Sequence, residues 1–393
     1  MNNEKFITFI EFTGFIALKK SGNSKSSIYS LNAFCCLLYA LCFLLFAMPS
    51  EAKVTGACSD CHTMHNSQRG QAMARDYSST DAGLVEDASP NPALLISSCI
   101  GCHFNSGTTT ITANNTPVVL NALDPGSSAL AGGNFYYSSA GPGGAYDKGH
   151  NVKNISPQES SPMDAPPGFK AGVELPNGGT GPASWASQLT CAGTYGCHGN
   201  RGIADEVKSI FGAHHQNVDI DSSSDADKVY NSYRFLYGIK GAEDIDWEKT
   251  VSGIDHNGYQ GDSLYGSMNT ISYLCSECHG NYHANTNLGG SGPVGDGTPW
   301  LRHPADFAFN GVRGNNYAGS EYASYTTYNV IAPVAESSPT TSDSVVNSGS
   351  IVMCLSCHRA HASPYFKMLR WDYKAGSLGT ALSGCMVCHT SKN

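Results

Sequence analysis

Apolar residues cluster once in this chain of 393 residues, in the run Leu31 to Met48, and are otherwise spread thinly among Gly, Ser, Asn, Thr and Tyr. Lys19, Lys20 and Lys25 precede the run and Ser50-Glu51-Ala52 follows it, the pattern of a secretory signal peptide cut after Ala52. The run is short for a membrane span, and Pro49 with Ser50 and Ala52 suits a peptidase better than an anchor. Cys42 follows Tyr-Ala-Leu, with no small residue immediately before it, which makes a poor lipoprotein site. The stretch Met1 to Gly22 is longer than a leader usually needs, as a misplaced start would make it. Residues 1–52 are expected to be the leader and 53–393 the mature protein.

In the mature region, apolar residues at helical spacing occur twice. Ile203 to His215 places Val207, Ile210 and Phe211 on one face, and Ala226 to Gly238 does the same with Val229, Tyr230, Tyr233 and Leu236, so each predicts a helix. The stretch 104–190 has no thiol before Cys191 and is rich in Gly, Ser, Asn and Pro, which predicts loop with a few short strands. Only His150 stands out in it. The tract 337–350 is polar and predicts a surface loop. Length alone would accommodate two or three ordinary domains, but this patterning does not build ordinary cores.

The cysteines change the picture. Five Cys-x-x-Cys pairs are followed at once by histidine: Cys58/Cys61/His62, Cys99/Cys102/His103, Cys275/Cys278/His279, Cys354/Cys357/His358 and Cys385/Cys388/His389. This is the attachment signature of haem c, in which two thiols form thioethers with the porphyrin and the imidazole becomes the proximal iron ligand. Zinc ribbons or disulfides would not place a histidine five times directly after the second cysteine when only 14 residues are histidine. A sixth site is expected at Cys191-Ala-Gly-Thr-Tyr-Gly-Cys197-His198, where five residues separate the thiols and Gly193 and Gly196 permit a tight loop. The alternative there is a disulfide beside an unrelated histidine. Of 15 cysteines, the six sites use twelve, and Cys35, Cys36 and Cys42 fall in the leader.

Six covalently attached haems need six further axial ligands or an open face. Eight histidines lie outside the motifs: His65, His150, His214, His215, His256, His283, His303 and His361. The supply covers full bis-histidine ligation with two to spare, and nothing singles out any of the nine methionines as a rival. His65 and His361 follow their proximal partners by three residues and His283 by four, positions that share one face of a helical turn. Such a side chain cannot reach the far side of its neighbour's haem, so each must serve a different iron. Pro304 holds His303 extended and could present it rigidly. Of the adjacent His214 and His215 only one can easily face a given iron, and His256 is the weakest candidate.

Covalent haem attachment follows export, so a leader and a full complement of assigned thiols belong together. The formal net charge of the chain is −9, and the leader takes away more basic than acidic residues, which makes nucleic acid an unfit partner. With six haems, flat apolar macrocycles must supply much of the buried surface, and without haem no fold is expected.

Cys58-Ser-Asp-Cys-His-Thr-Met-His-Asn-Ser67, Lys148-Gly-His-Asn151, Leu301-Arg-His-Pro-Ala305 and Cys354-Leu-Ser-Cys-His-Arg-Ala-His-Ala-Ser363 resemble the outer-surface multihaem c-type cytochromes of the cytochrome nanowire family. The resemblance spans both ends of the mature chain. It implies a multihaem cytochrome c fold, mostly irregular coil with short helices wrapped around a continuous haem stack and little β structure. It also implies a homopolymer in which His65 ligates a haem of the next subunit. In the middle the resemblance fails: the family has a two-residue motif with a histidine closely after it, where this chain has the five-residue loop and Gly199-Asn200-Arg201, so His214, His215 or His256 must supply that ligand.

The expected function is therefore an electron carrier rather than an enzyme, a filament subunit passing electrons outside the cell to metal oxides or other redox proteins. A monomeric periplasmic or surface shuttle with the same haems is the alternative. A multihaem oxyanion reductase would need one open iron face, against which the histidine surplus argues.

Overall fold

The computed structural model describes residues 56–65, 67–68, 71–78, 83–86, 93–139, 144–158, 164–176, 178–215, 228–250, 255–262, 266–283, 303, 305–311, 321–342 and 345–390. The chain divides between Glu51 and Ala52, and every described residue belongs to the second part. The expected leader and its cleavage point lie outside the described residues.

Regular structure is sparse. Among the described residues the α-helices are α1 (Cys99–His103), α2 (Glu206–Ser209), α3 (Ile271–His279), α4 (Leu378–Ala381) and α5 (Cys385–Cys388), joined by single 3-10 turns. The strands form two-stranded ladders only, with parallel pairs at Phe104–Asn105 with Leu120–Asn121 and Thr190–Ala192 with Gly196–His198. The expected class, mostly coil with short helices and little β structure, is what the chain adopts. No described helix is long and apolar enough to cross a membrane.

Both long helices expected from the patterning are replaced by shorter turns. In 203–215 the helix is confined to Glu206–Ser209, capped by the Asp205 carboxylate accepting from Lys208 N, and Gly212 at φ +82° stops it before the 3-10 turn Ala213–His215. Phe211, counted on the buried face, is 82% exposed. In 226–238 the chain makes the turns Val229–Asn231 and Tyr233–Phe235, and Arg234 and Phe235 both take positive φ. Tyr233 and Leu236 are buried nonetheless, so the apolar signal marked packing rather than a helix. Nor is 337–350 purely a surface loop, since Val346 and Ser350 are buried, and the Ser350 hydroxyl donates to Glu336 Oε1 at 2.5 Å.

Among the described residues there is no single core. One cluster joins Tyr233, Leu236, Ile239, Tyr259, Ile271 and Met353, with Cys197 packed against it. A second is built on Ile100, Leu120, Phe135, Val152 and Ile155, with Cys191 at its edge, and a third on Phe309, Tyr325, Tyr328 and Val352, with Cys388 at its edge. Each apolar cluster thus leans on a motif cysteine. The thiol-free stretch also holds the segment after the fifth motif: His361 N donates to Gly132 O at 2.8 Å, Asn134 N to Ala362 O at 3.1 Å and His150 N to His361 O at 3.0 Å. Backbone pairing across more than two hundred residues therefore fixes His150 and His361 together.

Candidate haem-binding sites

Each regular motif occupies one helical turn, which sets its two cysteines three positions apart on one face. The second, fourth and last motifs lie in α1, α3 and α5, and the first and fifth start 3-10 turns at Cys58 and Cys354. Helix α3 is fixed at its start by Thr270, whose hydroxyl accepts from Tyr273 N at 3.1 Å. All twelve motif cysteines are free thiols.

The third motif reaches the same end by another route. Thr190 pairs with Gly196 and Ala192 with His198 in a parallel register, so six residues make one coil and Cys191 lies beside Cys197 on the neighbouring rung. Side chains aligned in a parallel pair point the same way, and neighbouring strands are about 4.8 Å apart, so a five-residue spacer presents two adjacent thiols. The coil needs its glycines. Gly193 has φ +82°, and a Cβ on Gly196 would lie 2.5 Å from the Ala192 backbone. Burial holds the Glu206 carboxyl above the usual carboxylate range, against the downward pull of Lys153 and of the backbone at Ala192 and Cys191.

Five of the six histidines that close the motifs are hydrogen-bonded through Nδ1. It donates to Ala93 O at 3.1 Å in His62, Pro117 O at 2.6 Å in His103, Arg234 O at 2.9 Å in His198, Pro167 O at 2.7 Å in His279 and Lys367 O at 2.9 Å in His358. In His389, Nδ1 lies 3.2 Å from Glu321 Oε1. A carbonyl can only accept, so the proton is on Nδ1 and Nε2 is left with its lone pair, the state an iron ligand needs. Burial lowers the pKa values of His103, His279 and His358, and those of His150 and His198 to about 4 and of His361 to about 3, keeping these rings neutral.

Four motif histidines face a second imidazole from a distant part of the chain. Ring centres are 6.3 Å apart for His103 and His214, 6.2 Å for His279 and His150, 6.4 Å for His198 and His361, and 6.2 Å for His389 and His303. Two imidazoles bonded to one metal ion at about 2 Å each would stand roughly 6 Å apart between ring centres. The residues present therefore fit haem iron held between two histidines.

Neighbouring motifs also meet through their thiols in chain order. The Cys99 and Cys191 thiols interact by hydrogen bonding, as do Cys275 and Cys354, and Cys61 with Cys102, Cys197 with Cys278 and Cys357 with Cys385 are near enough to act on each other's charge. The ligating atoms of Cys99, Cys191 and Glu206 lie within 4.8 Å of one another.

Comparison with known proteins agrees with this geometry. A model of the doubled CXXCH motif matches residues 344–393, the part that carries the last two sites. The C-type cytochrome OmcS of Geobacter sulfurreducens is 25% identical over 379 residues, covering 86% of this chain and 83% of that protein. The chain is similar to the multihaem cytochrome OmcS over most of its length and carries the doubled CXXCH motif at its last two sites. Two solved structures titled as the outer membrane cytochrome S filament and OmcS nanowires of Geobacter sulfurreducens are 16% and 18% identical, with TM-scores of 0.39 and 0.40, each covering 87% of this chain and all of theirs.

In this OmcS-like chain the remaining histidines separate into groups. His214, not His256, stands opposite a motif histidine; the His215 side chain lies outside the described residues. His256 is buried and stacked on Tyr328 with ring centres 3.5 Å apart, and its Nδ1 donates to Asn257 O. His283 is not opposite a motif histidine among the described residues: its Nε2 is 2.7 Å from Asp306 Oδ2, with 6% and 1% of the two side chains exposed. His65 is exposed beside Met64, itself 85% exposed, and no described imidazole ring faces His358. The carbonyls that orient the motif histidines come from residues with no sequence signature, and neither Glu206 nor Glu321 could have been picked from its surroundings in the chain.

Proposed function

We propose that this protein is an exported electron-transfer cytochrome carrying six c-type haems in one row, each iron held by two histidines, and that copies join end to end into a filament delivering electrons to acceptors outside the cell. The observation that carries the reading is the succession of the six motifs in chain order, each with a thiol near enough to act on the charge of the next motif's thiol, from Cys61 with Cys102 to Cys357 with Cys385. Successive porphyrin edges bonded to those thiols would be close enough to hand on electrons. Bound haem supplies the one-electron iron chemistry; the chain's residues hold, orient and shield it.

The assignments are His62, His103, His198, His279, His358 and His389 as proximal ligands, with Cys191 and Cys197 attaching the third haem. The facing imidazoles support His214, His361, His150 and His303 as second ligands of the second, third, fourth and sixth sites, and the first site draws on the candidates that remain, His215 and His283. His65 takes the open side of the His358 site in the next copy, which its exposure and the lack of a described ring facing His358 favour. Imidazoles on both sides keep the potentials low, since methionine ligation is what raises them. Intact mass of the secreted protein tests the count: six haems are expected, and five haems with Cys191 and Cys197 joined as a disulfide would refute the third site.

A further inference from the structure

Three residues after the motif histidine, the first and fifth sites carry His65 and His361, whereas the third carries Arg201. Arg201 does not reach solvent. Its side chain is 6% exposed and lies against Glu277, 3% exposed, which is one of the two spacer residues between Cys275 and Cys278 of the fourth motif. Nη2 donates to Glu277 Oε1 at 2.6 Å and Nε meets Oε2, so the fork and the carboxylate meet edge to edge. The remaining donors close on backbone, Nη1 on Cys197 O at 3.2 Å and Nη2 on Tyr237 O at 3.3 Å. One guanidinium therefore binds the peptide group of the second cysteine of the third motif, the interior of the fourth motif and the loop behind them.

We propose that Arg201 and Glu277 are a positioning pair for the junction between the third and fourth haems, fixing the two attachment turns against each other and balancing charge where the electron passes between them. The proposal rests on Cys191, Cys197 and His198 being a haem site. Sequence separation of 76 residues means that nothing local holds these two turns together. A buried ion pair is a poor source of net stability against an apolar pair of the same shape, so its use here is better read as placement and field than as fold strength. Fixed charge beside a haem acts directly on its potential, an unbalanced positive charge favouring the reduced iron.

Haem count and spectroelectrochemical titration of the secreted protein decide it, using wild type, Glu277→Gln and the double variant R201M/E277M. The wild-type mass tests the third haem site separately, before any variant is read. Glu277→Gln leaves the guanidinium unbalanced, and an upward shift confined to two of the six potentials is expected. The double variant removes both charges at similar volume and should return those two potentials to their wild-type values. If Glu277→Gln fails to load haem while the double variant loads fully, charge balance at the junction is again what matters. Unchanged potentials in Glu277→Gln, a shift the double variant does not reverse, or failure of both variants to load would overturn the proposal and leave the pair as ordinary packing.

Discussion

His361 follows His358 by three positions yet faces His198, with ring centres 6.4 Å apart. The backbone explains the crossing: His361 is tied to Gly132 and His150 rather than to its own motif, and its ring packs on Phe135 at 4.8 Å. Histidines close in sequence thereby serve separate sites, and the third and fifth sites are bound into one unit. His361→Ala should keep every haem attached, because no thiol or motif histidine changes. Electron paramagnetic resonance should then show one high-spin ferric iron, whereas an unchanged low-spin spectrum would mean that another ligand serves His198.

The coil at the third motif makes a sharper claim. Alanine at Gly196 would put a methyl group 2.5 Å from the Ala192 backbone and open the rung that pairs Cys191 with Cys197. Intact mass of Gly196→Ala should lose one haem and keep the other five, and the C191A/C197A double variant should give the same mass deficit. A full complement in either would place the third haem elsewhere.

Apolar packing is divided into three clusters, each touching a motif cysteine at Cys197, Cys191 or Cys388. Without macrocycles between them these clusters have no common core, so the chain made without haem attachment should lack cooperative unfolding. Circular dichroism against denaturant checks this, and a sharp transition in the haem-free chain would show that the side chains suffice.

The attachment sites were legible because covalent chemistry fixes residue type and spacing: two thiols and an imidazole must be adjacent, as Cys99/Cys102/His103 shows in sequence and again as α1. The second ligands were legible only as a surplus of histidine. Which imidazole meets which depends on contacts across long loops, such as His150 with His279, and nothing in the chain told His283, which lies against Asp306, from His361, which faces His198. Periodicity misled at 203–215 and 226–238, where Gly212 and the positive φ of Arg234 bend the chain, leaving Phe211 exposed while Tyr233 and Leu236 join an apolar cluster without a helix. The five-residue spacer was readable as an attachment site from its Cys-His ending, but not as a one-turn parallel coil.

The last claim is that polymerisation and ligation are one event. His65 is exposed and lies too close to His62 to serve the same iron, and the proposal gives it the His358 site of the next copy. Electron micrographs of His65→Ala should show short or absent filaments beside normal wild-type ones, with haem mass unchanged.

The measurement that tests the whole arrangement most directly is electron paramagnetic resonance of assembled wild-type protein against His65→Ala at equal haem loading. The account predicts only low-spin ferric haem in the wild type and one high-spin iron in six in the variant. A high-spin haem already present in assembled wild type, or a fully low-spin variant, would contradict it.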